Sequence, residues 1–192
     1  MADGLLIAVL AAGSASRFGG GKLDADLGGR PVGARVLDAV AAAGLPAGVI
    51  VVPQAVPAFA AEAAGWSLLE NPHAADGLGS SVAVAAHAAL RHGAGHLLVL
   101  LADMPLLDPG HVQRLLASEA PAATRYPGDV PGVPVLLPAS LFPALAQLTG
   151  DRGAGSVLRG RGDVTLIDPP ADMLADVDRA KDLVRIAALL GG

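Results

Sequence analysis

The sequence predicts an α/β fold in which a mostly parallel, Rossmann-like sheet carries helices on both faces. Continuous apolar runs at residues 5–10 and 97–101 are typical of parallel strands that are buried on both faces. Segments with helical periodicity alternate with such runs along the chain, as a parallel sheet with crossover helices requires. Apolar residues make up 53% of the 192 positions and charged residues 16%, so a single domain over residues 1–192 can bury a core.

The composition also limits the kinds of binding partner and chemical site that the protein can have. A net charge of -5 and a pI of about 5.4 argue against nucleic acid, because phosphate backbones select basic surfaces. The absence of cysteine excludes a disulfide framework, a zinc–thiolate site and cysteine catalysis. No lysine or arginine precedes the first apolar run, so we interpret that run as a strand rather than a secretory signal. Glycine and proline interrupt the long apolar runs, so we expect a cytoplasmic protein without a membrane segment.

In the first half of the chain, strands and helices follow one another in short units. After the strand at residues 5–10, Val32, Val36, Leu37 and Val40 form one stripe of a helix over residues 31–43, which Gly44 ends. Further predicted strands span residues 49–52 and 67–69. Further predicted helices span residues 56–64 and 80–92, with a loop at residues 70–79 before the second of them.

The second half continues the same alternation. The strand at residues 97–101 precedes a helix over residues 109–118, which Asp108 caps and a proline opens. Residues 121–138 are rich in proline and glycine, with strand-like pieces around Ala122 and over residues 133–137. A helix over residues 140–148, a strand over residues 164–167 and a helix over residues 178–190 complete the chain. That last helix is expected to bury one face, formed by Ala180, Leu183, Val184, Ala187 and Leu190.

The strongest candidate for chemistry is the segment Leu-Ala-Ala-Gly-Ser-Ala-Ser-Arg-Phe-Gly-Gly-Gly-Lys, residues 10–22. Its small residues allow backbone N–H groups to approach a phosphate chain, and Arg17 and Lys22 supply positive charge for a triphosphate. The dinucleotide-binding pattern of glycines does not fit this segment. The Walker A pattern also fails, because Ser16 and Leu23 occupy two of its required positions. An ordinary strand-to-helix turn is the alternative.

Three aspartates are candidates for binding a metal ion. Asp103 comes directly after the strand at residues 97–101, where a carboxylate faces the ligand crevice of a parallel sheet and can hold Mg²⁺ beside a triphosphate. Asp176 and Asp178 are two positions apart in an extended segment and point the same way, so they are further metal-ligand candidates. Turn capping is the alternative for Asp103, and helix capping for Asp178.

Two loops have both a functional and a plain structural interpretation. Residues 71–81 lead into a helix through Gly-Ser-Ser, so free N–H groups and hydroxyls there can bind a base or a ribose, or can cap the helix. Residues 150–155 form either a mobile loop over an acceptor or a surface turn. The five histidines show no metal-binding spacing.

Taken together, these motifs resemble the small nucleotidyltransferases that include molybdenum cofactor cytidylyl- and guanylyltransferases. Residues 10–22 are similar to the family's nucleotide loop, and Leu-Ala-Asp-Met-Pro at residues 101–105 is similar to its metal-binding motif. Matches to the Gly-Ser-Ser segment, to a Gly-Asp-x-Gly-Ala-Arg loop and to Asp-Ile-Asp-Thr-Pro-Glu-Asp-Leu follow in order. The resemblance therefore extends over nearly the whole chain.

The resemblance implies a three-layer α/β/α sandwich of the nucleotide-diphospho-sugar transferase type. It also implies transfer of a nucleoside monophosphate to a phosphorylated acceptor, such as molybdopterin cofactor, with Mg²⁺ or Mn²⁺ and release of pyrophosphate. Catalytic roles fall to Arg17, Lys22 and Asp103, and metal binding to Asp103, Asp178 and Asp176. The implied nucleotide-binding residues are Leu10, Ala11, Ala12, Gly13, Ser14, Arg17, Lys22, Asp76, Gly77, Ser80, Ser81 and Asp103.

Within that family Ala-Ala-Gly after the first strand goes with cytidylyl members, so Ala11-Ala12-Gly13 favours CTP. Three features depart from the family pattern: the acidic residues Asp24 and Asp26 after the loop, Gly155 in place of an arginine, and Gly132-Val133-Pro134 in place of Gly-His-Pro or Gly-Asn-Pro. Transfer to another acceptor such as a sugar phosphate, or a non-catalytic nucleotide-binding factor that assists a molybdoenzyme or its chaperone, are the alternative functions.

Overall fold

A computed structural model describes residues 4–13, 18, 20–119 and 121–190. The strands are β1 (Leu5–Leu10), β2 (Val49–Val52), β3 (Ser67–Glu70), β4 (His96–Leu101), β5 (Ala122–Tyr126), β6 (Val130–Pro138) and β7 (Thr165–Ile167). The α-helices are α1 (Val32–Ala42), α2 (Ala58–Ala61), α3 (Leu78–Arg91), α4 (Pro109–Ala117), α5 (Phe142–Leu145) and α6 (Ala180–Leu190). Short 3₁₀ turns lie at Ala74–Asp76, Ala139–Leu141 and Ala154–Leu158.

Within these residues the strands form one seven-stranded sheet in the order β3-β2-β1-β4-β6-β5-β7. The first four strands are parallel, which confirms the predicted class of sheet. The strand β6 runs antiparallel to both β4 and β5, and β7 is parallel to β5. The sequence pattern located pieces of the β5–β6 hairpin, but the antiparallel pairing of β6 with the central strand β4 follows only from the tertiary structure.

The two faces of the sheet build separate cores, so the molecule has three layers. Alternate side chains of β1 point to opposite faces because strand side chains repeat every two residues. One core joins strand residues Ile7, Val9, Ile50, Leu98 and Leu100 to Val36, Val40, Val112 and Leu115 of α1 and α4. The other joins Ala8, Leu10, Val51, Leu97 and Val99 to Val82, Ala85, Phe142 and Leu145 of α3 and α5.

Several predicted helices differ from the observed ones in length. The helix predicted over residues 56–64 is the single turn α2, and the one over residues 140–148 is a 3₁₀ turn followed by α5. The helix predicted from residue 80 begins at Leu78, directly after Gly77 with φ of 109°. No helix in the described part of the chain combines the length and the apolar character that crossing a bilayer requires.

The prediction for the last helix was wrong about its buried face. Of the residues in α6, Ile186 is fully buried and Leu183 is half-buried, whereas Val184 is 75% exposed. The positions predicted to be inward at Ala180, Ala187 and Leu190 are also exposed. The helix touches the core of α1 and α4 along the narrow stripe of Leu183 and Ile186, and its other apolar side chains face away.

Candidate active site

The candidate site lies where the carboxyl ends of β1 and β4 meet. The chain continues to pair beyond the strands, because the N–H of Ala11 donates to the carbonyl of Val51 at 2.8 Å. Likewise, the N–H of Ala102 donates to the carbonyl of Leu10 at 3.0 Å. These bonds hold residues 11–13 beside Asp103. A ligand crevice at this edge is the one that a parallel sheet predicts.

Lys22 joins the two predicted motifs. Its ammonium Nζ lies 2.7 Å from Oδ2 of Asp103, a residue 81 positions away in the chain. Oδ1 of Asp178 lies 4.0 Å from the same nitrogen. Lys22 is only 8% exposed, and a buried ammonium needs such carboxylates to offset its lost hydration. The fold therefore brings Lys22, Asp103 and Asp178 together as the sequence predicted.

The segment before α6 is tied to the same place through its backbone. The N–H of Val177 donates to the carbonyl of Asp103 at 3.1 Å, which sets Asp176 and Asp178 on either side of that bond. Burial raises the pKa of Asp176, and the negative charges of Asp178 and Asp103 raise it further, although Lys22 opposes them. Burial, with help from Asp176 and Asp103, also raises the pKa of Tyr126 to about 12. The region therefore carries an excess of negative charge, which favours a bound cation.

Two adjoining cavities flank these residues. The Lys22 cleft, of about 140 Å³, is lined by Leu10, Ala11, Gly13, Lys22, Leu23, Leu78, Leu101 and Asp103. The hairpin cavity, of about 460 Å³, is lined by Leu78, Leu101, Tyr126, Asp176, residues 130–133, residues 151–156 and Arg159. Leu78 and Leu101 are common to both. A third cavity, of about 230 Å³, extends from Lys22 and Gly13 toward Pro53 and Pro57.

Other predicted residues are placed less directly. Leu10 and Ala12 are buried in the sheet core, so their contribution to a ligand site is through the backbone. Asp76 is exposed, with His73 Nδ1 3.5 Å from its carboxylate, and does not line the Lys22 cleft. Ser14 and Arg17 lie outside the described residues.

Asn71 is a buried polar residue that the sequence analysis did not single out. Its side-chain amide donates to the hydroxyls of Ser80 at 2.9 Å and Ser81 at 3.0 Å, while Oδ1 accepts from the N–H of His73 at 2.9 Å. Ser80 Oγ also lies 2.8 Å from the carbonyls of His73 and Gly77. The two serine hydroxyls thus tie the first turn of α3 to the loop before it. They do not cap the helix, because its N-cap position is Gly77 and has no side-chain cap. A polar residue directly after β3 was the available signal, but Asn-Pro also indicates an ordinary turn.

Comparisons of the sequence with known proteins show its family. Residues 7–165 match the MobA-like NTP transferase domain. The chain is 31% identical to the purine catabolism protein PucB of Bacillus subtilis (strain 168) over 198 residues, which covers 93% of this chain and 94% of that protein.

The chain belongs to the MobA-like NTP transferase family.

Solved structures share the fold of this MobA-like domain. Rv0371c from Mycobacterium tuberculosis H37Rv is 25% identical, with a TM-score of 0.76 and coverage of 97% of this chain and 98% of that one. A second structure of Rv0371c contains manganese, and it matches at 24% identity with a TM-score of 0.72 over 98% of this chain and 100% of that one.

More distant structures resemble the domain in fold alone. A nucleotidyl transferase from Methanothermobacter is 18% identical, with a TM-score of 0.82 over 98% and 99% of the two chains. The CMP:2-keto-3-deoxy-manno-octonic acid synthetase, solved with CTP, is 14% identical, with a TM-score of 0.70 over 98% and 99%.

The structure explains the acidic residues that follow residues 10–22 of this MobA-like domain. The carboxylate of Asp24 accepts hydrogen bonds from the N–H groups of Ala58 at 2.9 Å and Phe59 at 2.8 Å, so it caps α2. Asp26 accepts from the N–H of Gly29 at 3.3 Å within an exposed turn. Asp24 therefore has structural partners at the start of α2, and Asp26 has one within its own turn.

The loop over residues 150–155 is packed against the start of α3. The N–H of Gly79 donates to the carbonyl of Gly150 at 2.8 Å. A Cβ on Gly77 would lie 2.5 Å from the carbonyl carbon of Gly150, so only glycine permits this approach. At the other end of the loop, a Cβ on Gly155 would lie 2.1 Å from the carbonyl oxygen of Pro131. The loop thus joins α3 to β6, and the close packing at Gly155 leaves no room for an arginine.

Proposed function

We propose that this MobA-like domain transfers a nucleoside monophosphate from a nucleoside triphosphate, preferably CTP, to a phosphorylated acceptor, with molybdopterin cofactor as the first choice. The observation that carries the proposal is the buried ammonium of Lys22 between Asp103 and Asp178 at the sheet edge. A fixed cation of this kind suits triphosphate oxygens, and the carboxylates beside it suit a metal-bound phosphate.

In this reaction an oxygen of the acceptor phosphate attacks the α-phosphorus of the triphosphate. A new P–O bond forms, the bond from the α-phosphorus to the bridging oxygen breaks, and pyrophosphate leaves with that electron pair. Lys22 and Arg17 would stabilise the negative charge on the departing pyrophosphate. Catalysis of this kind consists of positioning and charge stabilisation, and it requires no covalent intermediate on the protein.

The carboxylates fit a hard divalent cation. Asp103 and Asp178 already converge on a cation in the form of the Lys22 ammonium, and Asp176 adds a third carboxylate to the same region. The described residues contain no group of three ligands close enough to hold a metal unaided. Mg²⁺ and Mn²⁺ are commonly held by one or two carboxylates together with substrate phosphates. When bound, such an ion supplies positive charge at the α-phosphate, and Rv0371c has been solved with manganese.

The preference for CTP rests on Ala11-Ala12-Gly13, together with the CTP complex of a protein of the same fold. The backbone of residues 10–13 and the hydroxyl of Ser14 would bind the nucleotide at the Lys22 cleft. At the start of α3, Asp76, Gly77, Ser80 and Ser81 would contribute to nucleotide binding through the backbone, because the serine hydroxyls are already hydrogen-bonded.

Pyrophosphate release by Asp103→Asn tests the proposal directly. With CTP, Mg²⁺ and molybdopterin cofactor, we expect the variant to release pyrophosphate at least about 100-fold more slowly than the wild type. Asp38→Asn is the matched control, because Asp38 pairs with Arg30 on the exposed surface. Near-normal turnover by Asp103→Asn would contradict the assignment of Asp103 as a metal ligand.

A nucleotide and acceptor panel separates the alternatives. Release with CTP alone supports the cytidylyl assignment, whereas release with GTP alone overturns the argument from Ala11-Ala12-Gly13. Release with a sugar phosphate but not with molybdopterin would reassign the acceptor. The absence of the family arginine at Gly155 favours a second candidate, a non-catalytic nucleotide-binding maturation factor. Nucleotide binding without pyrophosphate release from any acceptor would support that candidate.

A further inference from the structure

We propose that Arg152 and Arg159 form an anion clamp that binds the phosphate group of the acceptor in the hairpin cavity. This inference rests on the proposed function for its biological meaning, but its binding chemistry stands apart from it. The hairpin cavity, of about 460 Å³, shares Leu78 and Leu101 with the Lys22 cleft. A group bound in the hairpin cavity is therefore next to a nucleotide bound at Lys22.

Among the residues that the structure describes, no carboxylate forms an ion pair with Arg152 or Arg159. The Arg152 guanidinium makes one long contact, 3.5 Å to the hydroxyl of Thr149. By contrast, Arg161 makes two hydrogen bonds to Asp163, at 2.9 Å and 2.6 Å. Both arginines line the hairpin cavity, and each guanidinium carries the planar fork of N–H donors that suits phosphate oxygens.

Two carboxylates, those of Asp151 and Asp176, also line the hairpin cavity. Oδ1 of Asp151 lies beside Gly77, 2.7 Å from where a Cβ on that glycine would be, so it faces the start of α3. Asp176 lines the cavity next to Val177, whose N–H bonds to the carbonyl of Asp103. The cavity therefore has an acidic side toward Lys22 and a cationic side on the loop over residues 152–159.

This polarity suits a phosphomonoester. Guanidinium groups would hold two of its oxygens and leave the third to attack the α-phosphorus of the bound nucleotide. Tyr126 shapes the wall of the cavity: its hydroxyl donates to the carbonyl of Val133 at 2.9 Å. Gly132 permits this placement, because a Cβ there would lie 2.3 Å from the tyrosine ring.

The clamp also accounts for the glycine at position 155. A side chain there would collide with the carbonyl oxygen of Pro131 at 2.1 Å, so a guanidinium cannot come from that position. Arg152 and Arg159 flank the 3₁₀ turn Ala154–Leu158 that contains Gly155. They supply positive charge to the cavity from both ends of the turn, in place of the arginine that the family resemblance leads one to expect.

Calorimetric titration with phenyl phosphate tests the clamp. The nucleotide site is first filled with a non-hydrolysable CTP analogue and Mg²⁺, so that the probe reports on the hairpin cavity. We expect the double variant Arg152→Gln/Arg159→Gln to bind phenyl phosphate at least about tenfold more weakly than the wild type. Phenol should not bind measurably, and phenyl sulfate should bind more weakly because it carries less charge.

Matched arginines provide the controls. Arg161→Gln removes a paired guanidinium two residues from Arg159, and Arg91→Gln removes an exposed one on α3; both should retain the wild-type affinity for phenyl phosphate. Unchanged affinity for the CTP analogue establishes that the double variant is folded. If the double variant does not fold, Arg159→Lys takes its place. Lysine keeps the positive charge but lacks the planar fork, so this variant should weaken binding of phenyl phosphate by a smaller factor than the double variant.

The outcomes for the clamp and for the proposed function are distinct. Lys22→Ala should lose affinity for the CTP analogue but retain affinity for phenyl phosphate. The double variant should lose affinity for phenyl phosphate but retain affinity for the CTP analogue. Wild-type affinity in the double variant, an equal loss in Arg161→Gln, or no binding of phenyl phosphate by the wild type would each overturn the clamp. Failure of the wild type to bind any nucleotide would overturn the proposed function, while the difference in phenyl phosphate affinity between the wild type and the double variant would still test the clamp.

Discussion

Lys22 shows how a single side chain can have a structural and a chemical role at once. Burying an ammonium costs free energy, and the carboxylate of Asp103 at 2.7 Å offsets that cost in the absence of ligand. A triphosphate would supply further negative charge to the same nitrogen. The ion pair thus keeps the lysine in place before a nucleotide arrives, so little side-chain ordering remains to be done when it binds.

Gly155 gives a prediction at the scale of a residue. Gly155→Ala should lower the free energy of unfolding by about 1–3 kcal/mol, because its Cβ would lie 2.1 Å from the carbonyl oxygen of Pro131. Chemical denaturation measures this directly. Gly162→Ala is the control: a Cβ there meets no atom within 4 Å, so its stability should stay close to that of the wild type. Equal stability of the two variants would contradict the close packing at Gly155.

At the scale of elements, one buried histidine connects α4 to the β5–β6 hairpin. His111 is fully buried, with Nε2 2.8 Å from the hydroxyl of Thr124, which donates to the carbonyl of Pro134 at 2.8 Å. Nδ1 lies 3.3 Å from the guanidinium of Arg114. Since a guanidinium can only donate, the ring is assigned as neutral, with its proton on Nε2. Protonation of Nδ1 would leave the bond to Thr124 in place, but it would break the contact with Arg114 and set two positive charges side by side inside the protein.

This arrangement predicts a pH dependence of stability. Burial, and then the charge of Arg114, lower the pKa of His111 below 6.5, against a smaller opposing effect of Asp108. The unfolded chain therefore binds this proton more readily, and its contribution to the free energy of unfolding falls as pH drops through 6.5. Urea titrations between about pH 5 and pH 8 should show a slope that His111→Gln reduces and the exposed control His87→Gln retains. An unchanged slope in His111→Gln would contradict the assignment.

Two further elements differ from what their local patterns indicate. The helix α6 has apolar residues around more of its circumference than it buries, and Val184 is on the exposed side. The loop over residues 150–155 has the composition of a surface turn, yet it packs against α3 at one end and β6 at the other. In both cases the contacts come from elements distant in the sequence.

At the scale of the molecule, the parallel and the antiparallel strands of the sheet contribute to different parts of the site. The parallel strands β1 and β4 place residues 10–13 and Asp103 at one edge, where Lys22 pairs with Asp103 and where we propose that the nucleotide binds. The antiparallel strands β5 and β6 contribute Tyr126 and residues 130–133 to the neighbouring cavity. A two-substrate transfer requires two adjoining sites of this kind, with the reacting atoms between them.

Nucleotide binding should stabilise the whole domain. At about 100 times its dissociation constant, CTP with Mg²⁺ should add about 2.7 kcal/mol to the free energy of unfolding. In a domain of this size that corresponds to a rise in Tm of roughly 5–10 °C. A thermal melt should show a smaller rise with GTP, and Lys22→Ala should lose most of the rise with CTP. A larger rise with GTP than with CTP would contradict the assigned base preference.

The sequence by itself determined the α/β class, most of the strands, and the assignment of Lys22 and Asp103 to one edge of a parallel sheet. These inferences hold because apolar runs, helical periodicity and short motifs are local, and because parallel strands always present their carboxyl ends together. The sequence could not decide whether Asp24, Ser80 and Ser81 contact a ligand or hold the local backbone in place. A carboxylate or hydroxyl has the same sequence letter whether its partner is a ligand or a backbone N–H.

Only the tertiary structure decided which distant groups meet. Contacts between separate parts of the chain give the capping of α2 by Asp24, the pairing of β6 with β4 and the close packing of Gly155 on Pro131. They also place Arg152 and Arg159 on the wall of the cavity that Tyr126 lines. Such contacts follow from how layers pack, which no local pattern encodes. The meeting of Lys22 with Asp103 was therefore predicted from their motifs, whereas the shape and charge of the neighbouring cavity follow from packing.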